Sequence, residues 1–258
     1  MATSRAEGGS GARGTDGAAR RAPLLVVAAL KRELAAMARD CPPELALLDT
    51  GEGPRNAERA LRAWLVAHRA RAVINVGLAG ALSDSLRTGD LVIAREVRGQ
   101  NRRLDASRSP LFQAAARLKV RAGTAITVDE IVCKATDKRR LAASFGVGET
   151  AWVDMESTAI ADVCEELQMP YLVVRAISDA FDEDLPIDFN RCRDRDGRVS
   201  ARRVVWAALA RPRAFRGLME LKRRADLCAG NLASFVRQLL PLLNESDELN
   251  VHEAHEGR

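Results

Sequence analysis

Short, nearly continuous apolar runs alternate along the chain with segments whose apolar residues recur at helical spacing. PLLVVAAL (23–30), ELALLDTG (44–51), ARAVINVGLAG (70–80), TGDLVIAREV (88–97), KVRAGTAITVDEIV (119–132), WVDME (152–156) and MPYLVVRAIS (169–178) read as strands. The last is the clearest, because Val, Leu and Ile fill it as they do a strand covered on both faces. A helix is expected from near Lys31, and another after GEGP with Pro54 in its first turn. A helix-like run also follows Glu156, whereas KATDKRRLAASFG carries turn chemistry. The alternation predicts one α/β domain of three layers, α/β/α, around a central mixed, mainly parallel twisted sheet.

In such sheets ligands bind beyond the carboxyl ends of the strands. Five places satisfy that rule: Lys31 to Leu34, Gly51 to Asn56, Gly77 to Leu82, Asp154 to Glu156, and Ser178 with Asp179. Glycines and carboxylates collect there. GLAGAL (77–82) matches neither phosphate-cradling glycine motif, so a nucleotide-phosphate loop is not supported.

Composition narrows the chemistry. The chain has 258 residues, 47% hydrophobic and 29% charged, ordinary for a globular protein. No apolar run reaches the ~18 residues of a membrane span, and the first residues lack the apolar segment of a secretory signal. Residues 1–22 read as a disordered tail, 23–183 as the α/β core, 184–243 as a basic helical extension packed on it, and 244–258 as a polar disordered tail. Cys41, Cys133, Cys164, Cys192 and Cys228 are widely spaced without a CxxC pair, which suits reduced thiols in the cytoplasm and disfavours a metal site. Three histidines, two of them (His252 and His255) near the C-terminus, leave no basis for a histidine triad or metal centre. Acid–base work falls to carboxylates, with no cofactor.

Charge is uneven. Residues 191–226 hold twelve Arg or Lys against four Asp or Glu, although the whole chain is only +5. A basic coat for nucleic acid is a poor reading, and few aromatics interleave those charges.

Each candidate residue taken singly also has an ordinary reading. Glu33 and Glu156 are acids suited to a first helical turn, Met155 is core filler, Asp179 is a cap or loop residue, and Arg175, inside a strand, is a buried ion-pair partner. Asp154 reads as structural.

Together, AALKREL, INVGLAG (74–80), TGDLVIARE (88–96), TVDEIV (127–132), VDMESTAIADVC (153–164) and VVRAISDAFDE (173–183) resemble the nucleosidase and nucleoside phosphorylase superfamily. The likeness is strongest to its methylthioadenosine/S-adenosylhomocysteine nucleosidases. That resemblance implies a nucleoside phosphorylase-like fold and a homodimer. It also implies roles: Glu33 activates the attacking water, Glu156 binds the ribose hydroxyls, and Met155 packs beneath the sugar. Asp179, aided by Ser178, delivers a proton to purine N7, while Gly77, Ala79, Gly80, Ile131 and Val132 line the site. A phenylalanine is usual in the family at the position of Ile131.

The chemistry agrees with these roles. N-glycosidic cleavage builds cationic character on the ribose and negative charge on the leaving base; a carboxylate meets the first and a protonated acid the second. The acid must hold its proton at neutral pH, which the apolar end of a strand favours. Phosphorolysis needs an anion site, and phosphorylases of the superfamily carry Ser or Thr where Leu78 stands; Arg55, near a helix start, is the remaining candidate anion contact. Water is the favoured nucleophile.

Beyond Glu183 the basic segment sets Trp206, Phe215 and Leu218 beside clustered arginines, with Pro212 between two helical stretches. It resembles the hopanoid-associated phosphorylase group, which implies adenosylhopane as substrate. Basic amphipathic helices of this kind lie on anionic membranes; they also serve as ordinary helices over a sheet with a solvated basic face. The alternatives are a methylthioadenosine/S-adenosylhomocysteine nucleosidase, a phosphate-dependent purine nucleoside phosphorylase, and a catalytically silent nucleoside-binding sensor.

Overall fold

The computed structural model describes residues 22–194, 199–209 and 212–256. The reading of 1–22 as a tail therefore falls, but for Ala22, outside the described residues. Strands β1 (Leu24–Ala28), β2 (Leu45–Asp49), β3 (Ala72–Ala81), β4 (Leu91–Arg98), β5 (Arg103–Asp105), β6 (Arg121–Thr127), β7 (Ala151–Asp154) and β8 (Tyr171–Asp179) form one sheet. Its order is β2-β1-β3-β7-β6-β4-β5, with β8 pairing both β3 and β4. Pairings β1/β2, β1/β3, β3/β8, β4/β6 and β6/β7 are parallel, while β3/β7, β4/β5 and β4/β8 are antiparallel. The sheet is mixed and mainly parallel, as the pattern predicts.

The apolar runs are continuous because each strand serves two cores. Along β1, Leu24, Val26 and Ala28 face one core and Leu25 and Val27 the other. Along β8, Leu172, Val174 and Ala176 alternate in the same way with Tyr171, Val173 and Ile177. Helices α1 (Lys31–Ala38), α3 (Pro110–Ala116) and α7 (Pro212–Glu256) cover the first face, and α2 (Pro54–Ala67) and α5 (Ser157–Glu166) the second. These are the three layers.

Two further helices, α4 (Ala135–Phe145) and α6 (Ala201–Leu209), complete the set among the described residues. Helix α4 replaces the turn expected at KATDKRRLAASFG. Asp137 favours its N-terminal dipole, Asp184 accepts from the Ala135 N–H at 2.8 Å, and Leu141, Ala142 and Phe145 pack on Ile126 and Val153. Helix α7 also differs from expectation. Its Cys228, Leu232, Phe235, Val236 and Leu239 pack into the first core, and the helix runs past Pro241 to Glu256, into the segment read as a polar tail. Strand β5 and helix α3 fill the unassigned stretch between β4 and β6.

One irregularity positions the site. The β3/β8 register shifts between Ala79 and Gly80, so Ala79 faces Ile177 while Gly80 faces Asp179. A bulge re-aims the side chains beyond it. Here it turns Asp179 toward the end of the sheet.

Candidate active site

The strand ends named by the sequence converge on one cavity of about 820 Å³. Glu33, Ala79, Gly80, Ile131, Val132, Met155, Glu156, Ser178 and Asp179 all line it. Gly77 lies just behind, where a Cβ would stand 3.5 Å from Glu33 Oε1. Arg55 is not there. It lines a neighbouring depression of about 780 Å³ with Glu58, Arg102 and Asp162, because α2 starts at Pro54 and carries the side chain to the far side of the 128–132 segment. The expected anion contact is therefore absent from the cavity.

Glu33 sits three residues past the N-cap Leu30 of α1 and is buried. Its Oε2 accepts from the Leu30 N–H at 2.9 Å, the capping role of such a glutamate. Its Oε1 accepts from the Leu78 N–H at 3.1 Å, tying α1 to β3. Burial pushes its pKa up, against the pull of these two N–H groups.

Glu156 stands at the N-cap of α5, and its Oε1 accepts from the Gly53 N–H at 2.7 Å. Burial, reinforced by the charge of Asp154, pushes its pKa up to about 7. Met155 lines the cavity next to it in sequence, its Sδ 3.3 Å from an Arg193 guanidinium nitrogen.

Asp154 has a different task. Its Oδ2 accepts from Arg175 Nε at 2.9 Å and from the Ser157 hydroxyl, and Oδ1 from Thr127 Oγ1 at 3.1 Å. Arg175, wholly buried, also donates to Ser157 Oγ at 2.8 Å and to the Asn75 carbonyl at 3.0 Å. This saturated pair welds β3, β7, β8 and α5 under the cavity, the structural reading given to both residues.

Asp179 ends β8, buried, with its Oδ1 2.5 Å from Ser178 Oγ. Sequence reasoning expects an apolar strand end; the structure adds Lys138 Nζ, 2.5 Å from Asp179 Oδ2. Sequence reasoning also missed Phe189, an aromatic wall beside Ile131 and Val132, and Asn190, which holds the Ile131 N–H and carbonyl at 3.0 and 2.9 Å. The signal for Phe189 is the DFN triplet after the DLP loop. On the opposite wall, Val199, Ala201, Val204 and Val205 from and just before α6, and Leu218 and Leu221 from α7, make an apolar surface.

Three carboxylates, Glu33, Glu156 and Asp179, and an aromatic side chain, Phe189, line one cavity, a set of groups suited to acid–base chemistry on a nucleoside-sized molecule. Residues 43–210 match the model of the Phosphorylase superfamily. The chain belongs to that superfamily. It is 33% identical to the 5'-methylthioadenosine/S-adenosylhomocysteine nucleosidase of Shewanella denitrificans, over 52% of this chain and 67% of that one. It is 28% identical to the enzyme of the same name from Shewanella pealeana, over 63% and 80%. These kinships support an enzyme of the nucleosidase kind. In fold it is similar to the Neisseria meningitidis 5'-methylthioadenosine/S-adenosylhomocysteine nucleosidase in complex with methylthio-immucillin-A, at 22% identity and a TM-score of 0.61, covering 84% of this chain and 98% of that one. The Helicobacter pylori futalosine hydrolase gives 16% identity and a TM-score of 0.60, covering 85% and 97%. Among the described residues no helix is long and apolar enough to cross a membrane, and no group of three or more His, Cys, Asp or Glu is placed to hold a metal ion.

Proposed function

We propose that the protein uses water to cleave the N-glycosidic bond of a 5'-substituted adenine nucleoside, releasing adenine. The observation that carries this reading is the meeting of Glu33, Glu156 and Asp179 in one cavity. Asp179, beside Ser178, protonates N7 as the C1'–N9 bond breaks and its electron pair passes to the base. Glu156 holds the ribose hydroxyls over Met155. Glu33 takes a proton from the water that bonds to C1', and burial, by raising its pKa, makes it a stronger base. No metal or cofactor enters this scheme.

Water rather than phosphate is supported at Leu78. Its side chain offers no donor, and its N–H is committed to Glu33, so an anion there would face a carboxylate. A pure nucleoside sensor would have little use for a base and an acid in the same cavity.

For the 5' group we infer a large apolar substituent, adenosylhopane by resemblance, with methylthioadenosine and S-adenosylhomocysteine as the alternatives. The apolar wall of Val199, Val204, Val205, Leu218 and Leu221 supports the first. So do Val205, Trp206, Phe215 and Met219, all exposed beside the basic residues of α6 and α7, where a peripheral membrane contact would deliver a lipid-tailed nucleoside. A homodimer is part of the same proposal.

The test is free adenine released from methylthioadenosine and from adenosylhopane, each with and without phosphate. Release from either without phosphate is expected, faster from adenosylhopane. No adenine from either substrate would remove the enzyme reading, and strict dependence on phosphate would make it a phosphorylase.

A further inference from the structure

Lys138 has no part in the reaction drawn above, yet it is a fully buried lysine whose ammonium ends on the carboxylate of the acid. It reaches there from α4, whose Leu141, Ala142 and Phe145 pack on the third small core of Ile126, Ala151 and Val153. The ammonium has three protons and meets three acceptors: Asp179 Oδ2 at 2.5 Å, the Ala180 carbonyl at 2.5 Å and the Glu183 carbonyl at 3.2 Å. A neutral amine would leave one of these acceptors unmet in a dry site. The segment it grips is held from outside as well, by Arg224, whose Nη1 lies 2.7 and 2.8 Å from the two Glu183 carboxylate oxygens.

The other half of Asp179 points to the same arrangement. Ser178 Oγ lies 2.5 Å from Asp179 Oδ1 and 3.2 Å from the Ala79 carbonyl oxygen. The Ser178 hydroxyl donates to Oδ1, so each oxygen of the carboxyl has its own partner. Lys138 thus holds Oδ2 by charge, while Oδ1 meets only the neutral Ser178 hydroxyl.

We infer that Lys138 is the positioning residue of the proposed acid: it fixes Asp179 through Oδ2, presents Oδ1 to the leaving base, and neutralises the carboxylate left after the proton has gone. This rests on Asp179 being the proton donor. In the step concerned, the Oδ1 proton moves to N7, the C1'–N9 electron pair goes to the purine, and the new negative charge on Asp179 faces an ammonium already in place. Such preorganised charge needs no rearrangement at the moment of reaction.

The experiment measures adenine release from methylthioadenosine by wild type, Lys138→Met, Lys138→Arg, Asp179→Asn and Lys138→Met with Asp179→Asn, read by single turnover at high enzyme concentration where turnover is slow. Lys138→Met should lower kcat about 10²-fold, comparable to removing one preorganised donor, with KM within about threefold of wild type. Lys138→Arg, which keeps the charge, should recover part of that loss. In the Asp179→Asn background Lys138→Met should cost almost nothing more, because a residue that acts through Asp179 has nothing left to act on. Losses that multiply in the double variant, or a Lys138→Met kcat within threefold of wild type, would overturn the inference. Should Lys138→Met not fold, the same cycle with Lys138→Arg carries the same readings. Wild-type kcat in Asp179→Asn, in contrast, breaks the assignment of the acid itself, and is distinguished by needing no change at Lys138.

Discussion

Gly80 and Asp179 face each other across the β3/β8 bulge so closely that a Cβ at position 80 would stand 2.9 Å from Asp179 Oδ2 and 3.4 Å from Val153 Cγ1. The glycine here is required by proximity to the carboxylate, not by its backbone angles. Gly80→Ala should push Asp179 off its present position against Lys138, which is itself fully buried. A displacement near 1 Å at a reacting group costs about 10²-fold in rate. The measurement is kcat for adenine release alongside thermal unfolding. A full-rate Gly80→Ala enzyme would show that Asp179 is not held in a working position by this contact.

Glu156 sets up opposite pH trends in activity and stability. Its pKa is pushed up to about 7, first by burial and then by the charge of Asp154. As a ribose clamp it works best ionised, as does Glu33 as a base, so kcat/KM should fall as pH drops through about 7, well above the usual carboxylate range. Stability runs the other way. Between 4.5 and about 7 the folded chain binds this proton and the unfolded chain does not, so the contribution of Glu156 is present at low pH and is lost as pH rises. Glu156→Gln has no such loss. Its Tm relative to wild type should therefore climb between pH 5 and pH 8; a difference that stays flat or shrinks would contradict the assignment.

The Arg175–Asp154 pair should matter for folding far more than for chemistry. Both groups are almost wholly buried and the arginine is shared among Asp154, Ser157 and Asn75. Arg175→Met leaves Asp154 charged in the core without its partner, a loss of about 3–5 kcal/mol. In a chain of this size that lowers Tm by about 10 °C. Differential scanning calorimetry checks it. A Tm within 2 °C or so of wild type would mean the pair is replaceable by neighbouring polar groups.

What could be read from the chain follows burial. Strands β1, β3 and β8 were legible because both faces of the sheet are covered, which leaves them rich in Val, Ile, Leu and Ala. Glu33, Met155, Glu156 and Asp179 were legible because they stand where those runs stop. Strand β5 was not: it is three residues, Arg103–Asp105, polar and at the sheet edge. Lys138 was hidden for another reason. In KATDKRR it is one of three consecutive basic residues, and local pattern cannot tell which of them turns inward; only the packing of α4 on β7 and the arrival of the β8 end decide that. Arg55 erred in the opposite sense, since nearness to a glycine turn in sequence does not set the direction of a side chain on α2.

The exposed side chains of α6 and α7 separate a lipid-tailed substrate from a small one. Trp206 is 76% exposed and Phe215 52%, next to exposed Arg202, Arg203 and Arg216, while the cavity wall itself is made by Val204, Val205 and Leu218. Two aromatic side chains entering a bilayer interface contribute about 1.5–3 kcal/mol each at full burial, and the arginines about 1 kcal/mol each on an anionic surface. Trp206→Ser with Phe215→Ser should therefore leave turnover of water-soluble methylthioadenosine within about twofold, because neither residue lines the cavity. The same variant should weaken co-sedimentation with vesicles containing anionic phospholipid by at least about tenfold, and slow adenine release from adenosylhopane embedded in those vesicles in proportion. Raising salt should weaken the wild-type association further, since the charge contribution is screened. Equal vesicle binding by wild type and variant would show that this basic, apolar face meets something other than a membrane, and would return the choice of 5' substituent to the smaller nucleosides.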